Sequence, residues 1–193
     1  MSSEKFSKEY LKQLKEKIED LDNKKLNTII QVILHAYKND KQIFIFGNGG
    51  SASTSSHFAN DLAKGTVKDF NDKNEKRFKV ISLSDNIPLL TAYANDLSYN
   101  DIFSEQLANF VNEGDVVIGI SASGNSMNVI KGIQLAKQKK AVTVGLCGFS
   151  GGELKEEVDY YIHVKSNHYG IVEDMHHVVM HIVSYHIKEL NHS

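Results

Sequence analysis

The sequence predicts an α/β protein: a three-layer α-β-α sandwich around a five-stranded parallel, doubly wound sheet, preceded by N-terminal helices. Five short apolar runs, QIFIFG, RFKVISLS, DVVIGIS, AVTVGLC and DYYIHVK, are rich in β-branched and aromatic residues. Strands apolar on both faces belong to sheets covered on both sides. Helical patterns alternate with these runs, at Ala52–Lys64, Tyr99–Val111, Asn125–Lys139, Glu153–Glu157 and Gly170–Leu190, which is the order of strand–helix–strand units. Ahead of the first strand, Leu11, Leu14, Ile18 and Leu21 mark one amphipathic helix, and Leu26, Ile29, Ile30 and Ile33 mark a second. No linker divides the chain, so residues 1–193 are read as one domain, with a helical arm over 1–40 and an α/β core over 41–193.

Composition narrows the class. A hydrophobic content of 41% and a charged content of 24% are those of a soluble globular chain. The net charge of −2 gives no reason to expect a nucleic-acid partner. No apolar run reaches the ~18 residues of a membrane span. The start, MSSEKFSKEYLKQLKEKIEDL, has no apolar core, and the lone Cys147 can form no internal disulfide; together these predict a cytoplasmic protein. Cys147 ends the run AVTVGLC and reads as a buried, inert strand residue. The polar segment Gly65–Arg77 reads as a solvated connection, with a lid as the alternative.

In doubly wound sheets ligands sit outside the carboxyl ends of the strands, which directs attention to the loops after Phe46 and Ile120. Both pass from strand to helix. The first, Gly47-Asn48-Gly49-Gly50-Ser51, leads into a helix with five hydroxyl side chains between 51 and 56. The second, Ser121-Ala122-Ser123-Gly124-Asn125-Ser126, sets three serines around one glycine. One serine would serve as an N-cap; three at a helix N-terminus suit an anion. Without a P-loop lysine the loop fits a single phosphate monoester rather than a nucleoside triphosphate. Residues 47–52 also match the G-x-G-x-x-A dinucleotide fingerprint. That fingerprint requires an acidic residue about 20 positions on, at the end of the second strand; here that strand ends near Asp85, too late.

A second group of residues carries acid, base or metal chemistry. His57 and Asp61, four apart, share a helical face. In VEDMHHVVMHIVSYH, Glu173, His177 and His181 recur every fourth residue, with His176 alongside. The apolar residues between them imply a largely buried helix, and buried imidazoles and carboxylates need partners. Two such helices could meet around zinc or form an acid–base pair; spacing alone leaves both open, together with a purely structural role.

The combination of GNGGS, HFA, a later Asn-Asp pair, GIS-x-SGNS and a histidine-rich final helix resembles the bacterial phosphoheptose isomerases, of the sugar-isomerase (SIS) fold, over nearly the whole chain. The resemblance implies an aldose–ketose isomerase acting on sedoheptulose 7-phosphate to give a mannoheptose 7-phosphate, the heptose precursor of surface polysaccharides. It implies a homotetramer with active sites at subunit interfaces, and Zn2+ in each. Asn48, Gly49, Gly50 and Ser51 would line the sugar-phosphate site. Ser121, Ser123 and Ser126 would hold the phosphate, with Ala122 where the family often has threonine. Asn95 and Asp96 would contact the sugar. His57, Asp61, Glu173 and His181 would hold the metal, with Asp61, helped by Glu173, as base and His181 as its acid–base partner. Two residues depart from the family pattern: Asp61 stands for a glutamate and Glu173 for a glutamine. These departures keep two alternatives open, a non-catalytic phosphosugar-binding regulator or scaffold, and an isomerase of another sugar phosphate.

Overall fold

The computed structural model describes residues 2–192. Five strands, β1 (Gln42–Gly47), β2 (Lys79–Ser82), β3 (Val116–Ser121), β4 (Val142–Cys147) and β5 (Tyr160–His163), form one sheet in the order β2-β1-β3-β4-β5. All four neighbouring pairs are parallel. The order reverses between β1 and β3, where Ile43 lies opposite Val116 and Gly47 opposite Ile120. All five predicted strands are present.

Eight α-helices cover the sheet among the described residues: α1 (Ser3–Glu19), α2 (Asn23–Lys38), α3 (Gly50–Asn60), α4 (Ile87–Asp96), α5 (Ile102–Phe110), α6 (Met127–Gln138), α7 (Gly152–Glu157) and α8 (Tyr169–His192). Alternation along the strands splits the core in two. Ile43, Ile45, Ile118, Ile120 and Val144 face α2, α3 and α8, meeting Ile29, Ile33, Phe58, Met180 and Val183. Phe44, Phe46 and Val117 face α5 and α6, where Phe46 stacks on Phe103 at 4.8 Å.

Of the predicted N-terminal arm, α2 is part of the sandwich. Its start is fixed by Asp22, whose carboxylate accepts from the amides of Lys24 and Lys25, an N-cap satisfying donors that a helix leaves unpaired. Helix α1 has no buried residue. It lies along α8, pinned where the Tyr10 hydroxyl donates to Asp174 at 2.6 Å. Its predicted apolar face divides: Leu14 and Leu21 pack against the Val172–Met175 cluster, whereas Leu11 and Ile18 are 62% and 47% exposed, as is Phe6 near the helix start at 57%.

Helix α4 has no counterpart in the sequence reading. Asn86 caps it by accepting from the Leu89 amide, with Pro88 in the first turn, and none of its residues is fully buried, so its apolar periodicity is weak. The helix expected from Tyr99 begins as a short 3-10 turn, Tyr99–Asp101, before α5. The polar segment after α3 is held locally: the Glu75 carboxylate accepts from the amides of Lys68 and Asp69, and Tyr37 of α2 donates to the Lys76 carbonyl.

The loop after β3 is braced by the loop after β4. The Gly148 amide donates to the Ala122 carbonyl and that of Leu154 to Gly124, both at 2.9 Å. Gly124 has φ +71, and a Cβ there would stand 1.9 Å from the Gly151 carbonyl oxygen. Gly124→Ala is therefore expected to cost about 2–3 kcal/mol, a fall of roughly 5–10 °C in melting temperature, read by differential scanning calorimetry.

Cys147 is fully buried and its thiol is pushed up to about 12 by that burial, as an inert strand residue should be. His176, also buried, makes no hydrogen bond of normal geometry from either ring nitrogen. Burial pushes its imidazole down to about 4, the poorly placed Cys147 backbone opposing and His177 adding to the shift. The unfolded chain then binds this proton more readily than the folded one. Stability from this group is full above pH ~6.5 and is lost as pH falls toward ~4, on the order of 3 kcal/mol over that window. Urea unfolding between pH 7 and pH 4 should show that slope, and His176→Leu should remove it.

Candidate active site

The two glycine- and serine-rich loops leave the carboxyl ends of β1 and β3 side by side, at the point where strand order reverses. Between them lies a pocket of about 160 Å³ lined by Asn48, Ser51, Ser121, Ala122, Ser123, Ser126, Tyr169 and Glu173, with Ile120 at its base. Its donors are hydroxyls, amides and the N-terminus of α6. Ser126 occupies the N-cap of α6 without capping it; its Oγ lies instead 3.0 Å from Ser121 Oγ. No lysine or arginine lines the pocket, which suits a monoester held by neutral donors.

Most of the hydroxyls after the first loop do something else. Thr54, Ser55 and Ser56 donate to the carbonyls of Gly50, Ser51 and Ala52, the usual back-bonding of such residues within helices. Only Ser51 of that run lines the pocket. Gly49, at φ +55, turns the chain into α3, and Gly50 allows a close approach: a Cβ there would lie 2.7 Å from Glu173 Oε1. The Glu173 carboxylate thus sits against the first turn of α3, where the helix dipole favours negative charge.

Further along α3 and α8, a second constellation forms. His57 Nε2 is 3.6 Å from Asp61 Oδ1, and His181 Nε2 is 3.8 Å from Asp61 Oδ2. The two imidazoles stand edge to face at 5.0 Å. Donor atoms of all three residues lie within 4.8 Å of one another. Two imidazoles and a carboxylate are an acceptable zinc set, with three protein ligands leaving room for water or substrate. Asp61 is only 18% exposed while both histidines are 44% exposed, so the group opens to solvent on the imidazole side. Asp61 opens a π-helical turn, Asp61–Gly65, a departure from α geometry frequent at functional sites. Buried Ser184 donates weakly to its Oδ2, at 3.5 Å.

Of the four metal ligands expected, the structure gathers His57, Asp61 and His181 and sets Glu173 apart, against Gly50 and the serine pocket. His177 turns its Nδ1 to the Glu173 carbonyl. Asn95 and Asp96 end α4 as exposed residues, the Asn95 amide donating to Asp96; neither lines the pocket. Three contributors had no local signal in the sequence: Tyr99, whose hydroxyl donates to Asn48; Tyr169, which lines the pocket; and Ser184. A fourth, Asn128, which pairs with Asn48, stood two residues past Ser126 in plain view.

Comparison with known proteins agrees with this geometry. Residues 8–148 match the SIS domain family model. The chain is 37% identical over 177 residues to a Thermoplasma acidophilum protein named "Probable phosphoheptose isomerase", covering 92% of this chain and 94% of that one. It is 37% identical over 176 residues to the phosphoheptose isomerase of Helicobacter pylori, covering 91% and 87%. The phosphoheptose isomerase structure from Neisseria gonorrhoeae superposes with a TM-score of 0.86 at 25% identity, covering 96% of this chain and 98% of that one. With the serine pocket, the histidine–aspartate group and near-complete alignment all in agreement, the chain belongs to the phosphoheptose isomerase family of SIS-domain proteins.

Proposed function

We propose that this protein is an aldose–ketose isomerase converting sedoheptulose 7-phosphate to D-glycero-D-manno-heptose 7-phosphate, a precursor of lipopolysaccharide or capsule heptose. The observation that carries the reading is the placement of a neutral-donor phosphate pocket and a His57–Asp61–His181 group along one helix, α8. Glu173 and His181 are eight residues apart, about 12 Å along a helix. Such a separation suits a substrate whose phosphate and carbonyl are several carbons apart.

In this reading Ser121, Ser123 and Ser126 bind the 7-phosphate, and that remote binding energy fixes the open-chain sugar for reaction. Asp61 takes the proton from C1 of the ketose, giving an enediol, and after exchange with solvent on the carboxyl a proton is returned to C2. His181 donates a proton to the C2 oxygen and takes one back from the C1 hydroxyl, so that the carbonyl moves from C2 to C1. Glu173 lies between the phosphate and the reacting carbons, placed to accept from the sugar's hydroxyls and to assist Asp61. Asn95 and Asp96 are assigned to the sugar as well. His57, Asp61 and His181 are the residues that would hold zinc; the Glu173 carboxylate lies against Gly50 instead. Bound zinc would supply Lewis-acid polarisation of the carbonyl oxygen.

The exposed Phe6, Leu11 and Ile18 of α1 support assembly into a homotetramer, with neighbouring chains completing the sites. A cytoplasmic location fits the buried lone thiol and the absence, among the described residues, of a helix long and apolar enough to cross a membrane.

Incubation with sedoheptulose 7-phosphate in D2O, followed by NMR, should show deuterium entering C1 of the ketose and C2 of the aldose. Asp61→Ala should slow exchange by about 10²–10⁴-fold. It should also abolish stoichiometric zinc, measured by elemental analysis after mild purification. Binding without exchange by the wild-type protein would instead assign a phosphosugar-binding module. Light scattering is expected to give the mass of a tetramer, and Leu11→Glu to lower it.

A further inference from the structure

Asn48 sits at the lip of the serine pocket, and its side chain is held by a closed set of hydrogen bonds. Its Nδ2 donates to Asn128 Oδ1 at 2.8 Å, and Asn128 Nδ2 donates back to Asn48 Oδ1 at 2.9 Å. The Tyr99 hydroxyl donates to the same Asn48 Oδ1 at 2.9 Å. The backbone amide of Val129 donates to Asn128 Oδ1 at 2.9 Å, sharing its proton with the Ser126 carbonyl at the same distance. Asn128 is buried, only 2% exposed.

The orientation of both amides follows from a single fixed donor. A backbone N–H can only donate, so the Asn128 atom facing Val129 must be oxygen. With Asn128 so placed, its nitrogen faces Asn48, and the Asn48 atom it meets must be oxygen in turn. That oxygen then receives Tyr99 as well, filling both of its lone pairs. Rotating one amide alone would set N–H against N–H and oxygen against oxygen between the pair, and rotating both would turn the buried Asn128 Nδ2 against the Val129 N–H.

From this chain of constraints we infer that Asn128 and Tyr99 are positioning residues that lock Asn48 as a hydrogen-bond donor only, with one Nδ2 proton left for the ligand. Asn48 can then serve an acceptor oxygen, such as a phosphoryl, carbonyl or enediolate oxygen, and cannot accept from a hydroxyl. The pocket is thereby biased toward oxygens carrying negative charge. Free asparagine amides offer either face, and the lock removes that choice.

The inference rests on the proposed sugar-phosphate site, and a double-mutant cycle separates the two. Dissociation constants for sedoheptulose 7-phosphate would be measured for wild type, Asn48→Ala, Tyr99→Phe, Asn128→Ala and the two doubles with Asn48→Ala. Tyr99→Phe and Asn128→Ala should each weaken binding several-fold to about tenfold when Asn48 is present, and change it less than about twofold in the Asn48→Ala background. Equal losses in both backgrounds would show a general structural effect and overturn the lock, as would full affinity in the single variants. If wild type binds no sugar phosphate, the proposed function falls, and the lock is then decided without ligand. Neutron diffraction from deuterated crystals should place both Nδ2 deuterons of Asn48 as described, one toward Asn128 and one toward the pocket. Deuterons on the atom facing Tyr99 would refute it.

Discussion

Because β1 and β3 pair in parallel with Gly47 opposite Ile120, the chain segments leaving their carboxyl ends begin side by side and turn to opposite faces of the sheet. Every feature of the site descends from that register. The first segment enters α3 on the side of α2 and α8; the second enters α6 on the side of α5. The space between two diverging helices cannot be filled by either loop, and it remains as the serine-lined pocket. A parallel sheet whose order does not reverse there would cover this end with a crossover instead.

Two helix N-termini consequently point into a small volume, and the sequence assigns them different partners. Gly50 lets the Glu173 carboxylate lie against the start of α3. The start of α6 carries Ser126, which leaves its own helix uncapped and faces Ser121. A carboxylate already satisfies the first positive end, so an incoming phosphate meets its most favourable field at the second. This explains how a pocket that contains a carboxylate and no cation can still be an anion site. It also explains the demand for small residues in both loops, since only close backbone approach gives neutral donors enough reach.

The architecture was legible in the sequence because it is written in local periodicity. The three central strands are almost wholly buried runs, the edge strands β2 and β5 are shorter and more exposed, and the β3 loop advertises itself by Gly124 among serines. Spacing by four marked His57 with Asp61, and Glu173 with His177 and His181, as candidates; the family resemblance chose among them, and the contact between α3 and α8 brings His57, Asp61 and His181 together. What stayed hidden has a common cause. Helix α4 buries no residue completely, so its pattern is faint. Tyr99 and Tyr169 enter the site through tertiary contacts that no spacing encodes. The separation of Glu173 from the histidines depends on Gly50, more than 120 positions away, whose missing Cβ opens an alternative seat for the carboxylate.

That alternative seat bears on the two carboxylates at positions 61 and 173. Asp61 is one methylene shorter than a glutamate would be, yet it touches both His57 and His181. Two devices hold it there: the π-helical turn that starts at Asp61 shifts its backbone relative to α3, and buried Ser184 reaches its second oxygen from α8. Glu173, freed from any need to reach the histidines, brings its negative charge to a helix N-terminus that can bear it. The two carboxylates are thus held by different structural means at different points along α8.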